Sequence, residues 1–398
     1  MTESTSEHGH ESSGDALPER TGPRGPVSWL RRRGLPWVGR LSALLGLALL
    51  VAWGTGRVLT DEHRWSQYLY WVPTAWVVTG VLGLCALSWI SGRLATRLSG
   101  DILRPVVTLG ALGALGWMGL VEWRGTNLVR ASVDPGRPSL RVVFWNNSSK
   151  IRLTGADEGL AALGAGLLIV TNPTTGEADR AGLLEVLAET GDGQAGGDTP
   201  VHVLDRWEVC VGSRLPIVGY GEVLMARSEG ADETWRTGSF GGRAMFLELD
   251  ASEEFPGLGR PLVVWMFDLP SDPGLHKMEP ARIARTVTER FTGPVYRPDA
   301  SGGVVASTDT VDGFPPPDVV VGDFNTPRGS ASVRTIVGNM ESAHAQGGFG
   351  PDYTWEQPWA WWAIDLMFVG QGWRARRFDA VGLEGHAHAA IVGDIVRE

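Results

Sequence analysis

Cysteine and lysine are almost missing from this 398-residue sequence, with two cysteines in all. Cys85 and Cys210 cannot supply a disulfide framework, so a packed core has to hold any domain this chain forms. Lys150 and Lys277 stand against many arginines, which leaves no lysine-rich groove for a polyanion. With abundant glycine and alanine, that usage points to a GC-rich bacterial genome. No internal repeat is evident. Charge is also missing locally: from Trp65 to Ser91 the only ionisable side chains are Cys85 and the tyrosines.

That uncharged stretch is one of three apolar segments, roughly Pro36–Gly54, Leu69–Ile90 and Val106–Val121, each near the length a helix needs to cross a hydrocarbon core. Trp37, Trp53, Trp71, Trp89, Trp117 and Trp123 sit at their ends in the manner of an aromatic belt. Arg40 lies early enough in the first segment to snorkel back to the headgroups. Two further spans and the lack of a small-residue cleavage site argue against a removable signal peptide. Arginines crowd before the first span and, as Arg93, Arg97 and Arg104, between the second and third. The positive-inside rule makes both regions cytoplasmic, so the N-terminus is expected inside and everything after the third span outside, anchored in the cell (inner) membrane.

The expected organisation is therefore a disordered cytoplasmic tail (1–34), three transmembrane helices (35–125), a linker (126–139) and one domain (140–398). This last segment carries 21 Lys+Arg against 35 Asp+Glu, 21 − 35 = −14, a poor match for nucleic acid. It does not exclude a small phosphate ester in a local pocket. Apolar β-prone runs recur at 140–145, 166–171, 207–212, 245–250, 261–267, 318–324 and 363–369, with helix-like stretches at 156–166, 177–190 and 279–291. Such alternation argues α/β layering, and the polar segments 191–200 and 299–317 read as long loops.

Five short motifs come in a telling order. "RVVFWN" ends in Asn146, "VGSRLPI" contains Arg214, "VVVGDFNTP" contains Asp323 and Asn325, "TWEQPWAWWAIDLMFV" contains Asp365, and "GHAHAAIV" contains His388. The ordered set resembles the endonuclease/exonuclease/phosphatase superfamily, whose deoxyribonuclease-like fold is an α/β (α+β) four-layer sandwich of two packed mixed β-sheets flanked by helices. Here that fold is expected behind the helical transmembrane segment. The resemblance implies a phosphoesterase in which His388 is general base, Asp365 orients it, Asp323 positions water, and Asn325, with Arg214, binds phosphate. The implied partners are the bilayer and a small-molecule or lipid-linked phosphate ester.

The sequence also departs from the pattern. Where the family carries its main metal-binding carboxylate, "GLLIVTNPTTG" offers Asn172 or Pro173. Ala387 replaces a second metal-ligand Asp, and Asp268 stands where the family has a phosphate-contacting His. Magnesium seeks anionic oxygens, so the resemblance implies a Mg²⁺ or Mn²⁺ site that is weakened, relocated to Asn146, Asn172 and Asp268, or absent. Two functions stay open: an active phosphomonoesterase or phosphodiesterase, and a catalytically degenerate relative that binds or senses a ligand. Taken singly, Asp323 and Asn325 also suit an Asx turn, and the cluster of tryptophans at 355–362 suits core and rim packing.

Overall fold

The computed structural model describes residues 34–94, 102–129, 136–148, 156–173, 182, 185–186, 201–206, 208–225, 241–298 and 304–398. The described residues open with four helices: α1 (Leu35–Leu59), the short α2 (Arg64–Trp71), α3 (Thr74–Leu94) and α4 (Leu103–Trp117), which runs on through a π-turn at Met118–Glu122. Three of these, α1, α3 and α4 with its π-turn, are long and apolar enough to cross a membrane. The stretch expected as one span from Leu69 is broken. Pro73 pushes the preceding Val72 into an extended conformation (ψ 118°), so residues 64–71 form a separate helix and the long one starts at Thr74.

Next come β1 (Ser139–Asn146), α5 (Ala156–Ala162), β2 (Leu167–Thr171), β3 (His202–Arg206), β4 (Val209–Ser213), β5 (Ile217–Leu224), β6 (Arg243–Leu249) and β7 (Leu262–Asp268). After α6 (Met278–Arg290) follow β8 (Pro294–Pro298), β9 (Val304–Thr310), β10 (Val319–Asp323), α7 (Ala331–Val337), β11 (Glu341–Ser342), α8 (Ala343–Gly347), β12 (Asp365–Val369), β13 (Trp373–Gly382) and β14 (Ala389–Arg397). The strands make two mixed sheets, β13-β14-β1-β2-β4-β3 and β11-β12-β10-β7-β6-β5-β8-β9, with helices on their outer faces. The polar segment expected as a loop after Asp299 contains the edge strand β9, paired with β8. Segments 177–190 and 191–200 lie largely outside the described residues.

Alternation along each strand decides the layers. Val142 and Phe144 of β1, Val264 and Met266 of β7, Val319 and Val321 of β10, and Met367 and Val369 of β12 fill the core between the sheets. Val143 and Trp145 turn outward against α5, while Val320, Phe324 and Phe368 turn outward toward α6 and α7. With a period of two, the inward row reaches its polar end at Asn146, Asp268, Asp323 and Asp365.

Candidate active site

Strand register brings three acids level. Asp323 lies opposite Asp268 in the parallel β10–β7 pair and opposite Asp365 in the antiparallel β10–β12 pair. Neighbouring strands are only about 4.8 Å apart, so three carboxylates stand in a row across the sheet edge. Gly322 permits the approach: a Cβ there would meet the carbonyl oxygen of Phe267 at 2.0 Å. From the facing sheet Asn146 reaches across and its Nδ2 donates to Asp323 Oδ2 at 2.7 Å.

His388 enters just before β14. The backbone amides of Gln357 and Ala389 donate to Ala387 and Thr354, and Trp145 Nε1 donates to the His388 carbonyl. The imidazole Nδ1 donates to Asp365 Oδ2 at 2.9 Å, which leaves Nε2 for chemistry. Asp365 Oδ1 is buried and has no hydrogen-bond partner among the described residues. Asp323, Asp365 and His388 are all buried and offer ligand atoms within 4.8 Å of one another, a group able to hold a metal ion.

The electrostatics follow from burial among like charges. Burial, then the Asp365 carboxylate, pushes the Asp323 carboxyl well above the ordinary range. Asp268 is also raised, by burial and by Glu208, against the pull of the Asn172 amide. Burial alone would lower His388, but the charge and hydrogen bond of Asp365, then Asp323 and Asp268, raise it to about 9.

The other side of the cavity floor is an amide network. Asn146 Oδ1 accepts from the Ser148 amide at 2.8 Å and from Asn172 Nδ2 at 3.1 Å, so both of its lone pairs are engaged. Asn172 Nδ2 also donates to Asp268 Oδ2 at 2.8 Å. These partners fix both amide orientations, because a backbone N–H needs an oxygen and two oxygens need an NH₂. Asn172 sits at φ 48°, as does Asn325, a left-handed conformation that asparagine tolerates. Amide hydrogens thus occupy the space between oxygens where a cation would have to sit. With the Asn146 oxygen accepting twice and the Asn172 NH₂ donating twice, the Asn146–Asn172 pair offers a divalent metal no anionic oxygen, whereas the Asp323–Asp365–His388 group, with its unpartnered carboxylate oxygen, does.

Asn146, Asn172, Asp268, Asp323, Asn325 and His388 all line one cavity of about 760 Å³. Asp365 stands behind His388. The Asn325 amide N–H accepted by Asp323 Oδ1 (2.8 Å) tightens the turn after β10, and its Nδ2 donates to the Leu269 carbonyl at 2.7 Å. Arg214 is not brought to this cavity. It follows Ser213, which pairs with Leu167 at the far end of β2 from Asn172, and Ser213 Oγ closes a turn with Leu215. Residues that the sequence did not assign to the site also line the cavity: Glu208, Trp71, which reads as part of an aromatic belt, and Trp355 and Trp362, which read as core and rim packing. Glu208 supplies an acid that the departure at Asn172 seemed to remove, but Arg243 already pairs with it at 2.5 Å. Lys277, buried behind the same wall, is lowered to about 8 by its burial, and its Nζ donates to the Pro270 carbonyl at 2.7 Å. His386 packs edge-on to Trp145, 4.9 Å between ring centres.

The model of the Endonuclease/Exonuclease/phosphatase family matches residues 206–387. No curated protein matches the chain. Similar solved structures include an endonuclease/exonuclease/phosphatase family protein from Bacteroides thetaiotaomicron (12% identity, 65% of this chain and 98% of that one, TM-score 0.42). A mannosyl-6-phosphatase from the same species is similar at 11% identity over 65% of this chain and 100% of that one, TM-score 0.41. Sphingomyelinase C from Streptomyces griseocarneus is similar at 16% identity over 65% of this chain and 99% of that one, TM-score 0.36.

Proposed function

We propose that this chain, which carries an endonuclease/exonuclease/phosphatase family domain at residues 206–387, is a membrane-anchored phosphoesterase acting on a small-molecule or lipid-linked phosphate ester. The observation that carries the reading is the buried Asp365–His388 pair beside Asp323 in the cavity floor. In hydrolysis a water oxygen bonds to phosphorus, the ester P–O bond breaks, and one proton passes from the water to the departing oxygen. Nε2 of His388 is placed to carry that proton, Asp365 holds the ring in one tautomer, and Asp323 holds the water. The second amide hydrogen of Asn325 is left to steady a phosphoryl oxygen, a role for which Arg214 is too far removed.

With His388 raised to about 9, the neutral imidazole needed for a base is scarce at neutral pH unless positive charge offsets the neighbouring carboxylates. Asp323 and Asp365 would hold a divalent cation, Mg²⁺ or Mn²⁺, which would supply that charge and screen the phosphoryl oxygens. The same helices support a membrane anchor, and the arginine pattern supports a cytoplasmic N-terminus with the domain outside, in the cell (inner) membrane. We divide the chain as tail (1–34), spans (35–125), linker (126–139) and domain (140–398).

A second reading, a binding or sensing module of the same fold, is favoured by the Asn146–Asn172 network, in which neutral amides already bonded to one another stand where the family resemblance implies a metal-binding carboxylate. The two separate by hydrolysis of p-nitrophenyl phosphomonoesters and phosphodiesters by the full chain in detergent, with EDTA, Mg²⁺ or Mn²⁺. Turnover that H388A abolishes supports the enzyme. No turnover above H388A in any condition supports the binding module.

A further inference from the structure

The cavity has a wall that does not come from the sandwich. Trp71, the last residue of α2, lines it, and α2 is the link between the first two long helices. This link holds three of the segments that line or flank the cavity. Gln67 Nε2 donates to the Leu275 carbonyl at 3.0 Å and Gln67 Oε1 accepts the Lys277 amide at 2.9 Å, which holds the segment that follows Asp268. Asp61 Oδ1 accepts the Ala331 and Ser332 amides, and the Tyr70 hydroxyl donates to the Arg328 carbonyl, which holds the segment that follows Asp323. Trp362 Nε1 donates to the Trp71 carbonyl at 2.9 Å. Lys277 Nζ lies 5.7 Å from the centre of the Trp71 ring.

The amphipathicity of α2 is inverted for a helix on a soluble surface. Its buried face is polar, with Ser66, Gln67 and Tyr70 against the domain. Its aromatic face is open, with Trp65 and Tyr68 at 55% and 47% exposure. Trp76, in the first turn of α3, is half exposed and meets Trp361 and Trp362 edge-on, at 5.4 and 6.3 Å between ring centres. Since α2 is bounded by the ends of two helices long enough to span a bilayer, its open aromatic face lies at the depth where amphipathic rings prefer the headgroup boundary. Trp71 and Trp362, which line the cavity, continue that aromatic set.

We infer that the link between the first two spans is part of the active site, and that the cavity it completes takes a phosphoester whose apolar chain stays in the bilayer surface against Trp71. The phosphorus meets the Asp323–His388 floor while the chain runs along the tryptophan wall. Trp71 is then a specificity residue, and a sandwich cut free of its helices lacks one wall of its site. The kinetic part of this inference rests on the phosphoesterase reading.

The test uses the full chain in lipid nanodiscs and two probes with the same phosphorus and leaving group, methyl p-nitrophenyl phosphate and hexadecyl p-nitrophenyl phosphate. The hexadecyl ester is expected to have the higher kcat/KM by about tenfold or more, chiefly through KM. W71A is expected to reduce that preference by about fivefold. The double variant W65S/Y68S changes only exposed rings, so it serves where W71A folds poorly, and it is expected to reduce the preference by about threefold. Equal kcat/KM for the two esters, or a preference that neither variant alters, would overturn the inference while turnover itself leaves the phosphoesterase reading standing. Should neither ester be hydrolysed, that reading fails and hydrogen exchange decides the placement. The hexadecyl ester should then protect amides at 269–277 and 324–332 in the wild type and not in W71A, and absence of protection in the wild type overturns it.

Discussion

The two sides of the cavity floor contain similar short polar side chains and differ in what their hydrogen bonds leave unused. On the Asn146–Asn172 side, the Asn146 oxygen accepts twice and the Asn172 NH₂ donates twice, so amide hydrogen stands between the oxygens. On the Asp323–Asp365–His388 side, a buried carboxylate oxygen has no partner and one imidazole nitrogen faces the cavity. Replacing a carboxylate by an amide therefore does more than remove one negative charge. It fills the vacant position with hydrogens, so attraction for a cation is lost while the backbone geometry is kept. Unspent capacity marks the reactive side, and satisfied capacity marks the structural one.

The largest effect expected from this contrast is on turnover. H388A should lower kcat by about 10²–10⁴, the range for a lost acid–base group, and D365N should lower it as far, since it removes both the orienting partner of the imidazole and a ligand of the cation. Steady-state rates on a p-nitrophenyl ester read both. Comparable losses in N172A would break the comparison.

Stability should respond in the opposite place. N146A removes the donor to the buried Asp323 carboxyl and should cost about 1–3 kcal/mol, read from the urea midpoint of the full chain in detergent. An unchanged midpoint would mean that the amide network carries no structural load.

A smaller effect sharpens the electrostatics. In EDTA the His388 imidazole should titrate near 9, and in D365N it should fall toward 6.5, followed by NMR of labelled histidine. Because this folded-state value is raised, its stabilisation is complete below 6.5 and is lost as pH rises through 9. Stability of the wild type should therefore decline across that window more steeply than stability of D365N. The smallest effect belongs to R214A, which should shift KM by less than about twofold, as expected for a residue outside the cavity.

Much of the floor was legible in the sequence because strand alternation is local. Once Val319 and Val321 are assigned inward, Asp323 must face inward too, and the same holds for Asp268 and Asp365. What stayed hidden is what depends on partners distant along the chain. Asn146 and Asp323 meet across two sheets, 177 residues apart. Nothing local marks Asp61 and Gln67, because the backbone groups they hold lie 206 to 271 residues away. Arg214 was misplaced for a related reason. Its motif suggested a phosphate ligand, but the antiparallel pairing of β2 and β4, visible only in the fold, carries it to the opposite end of the sheet. The break at Val72–Pro73 could have been read from the proline, and with it the separate helix that delivers Trp71.

The central claim is that the capacity for a cation lies with Asp323 and Asp365, beside His388, and has left Asn146 and Asn172. Titration of the full chain in detergent with Mn²⁺, followed by the electron paramagnetic resonance signal of the free ion, tests it without relying on activity. The account predicts saturable binding in the wild type that N172A retains and D365N loses. Binding that survives D365N and disappears in N172A, or no binding to the wild type at all, would contradict it.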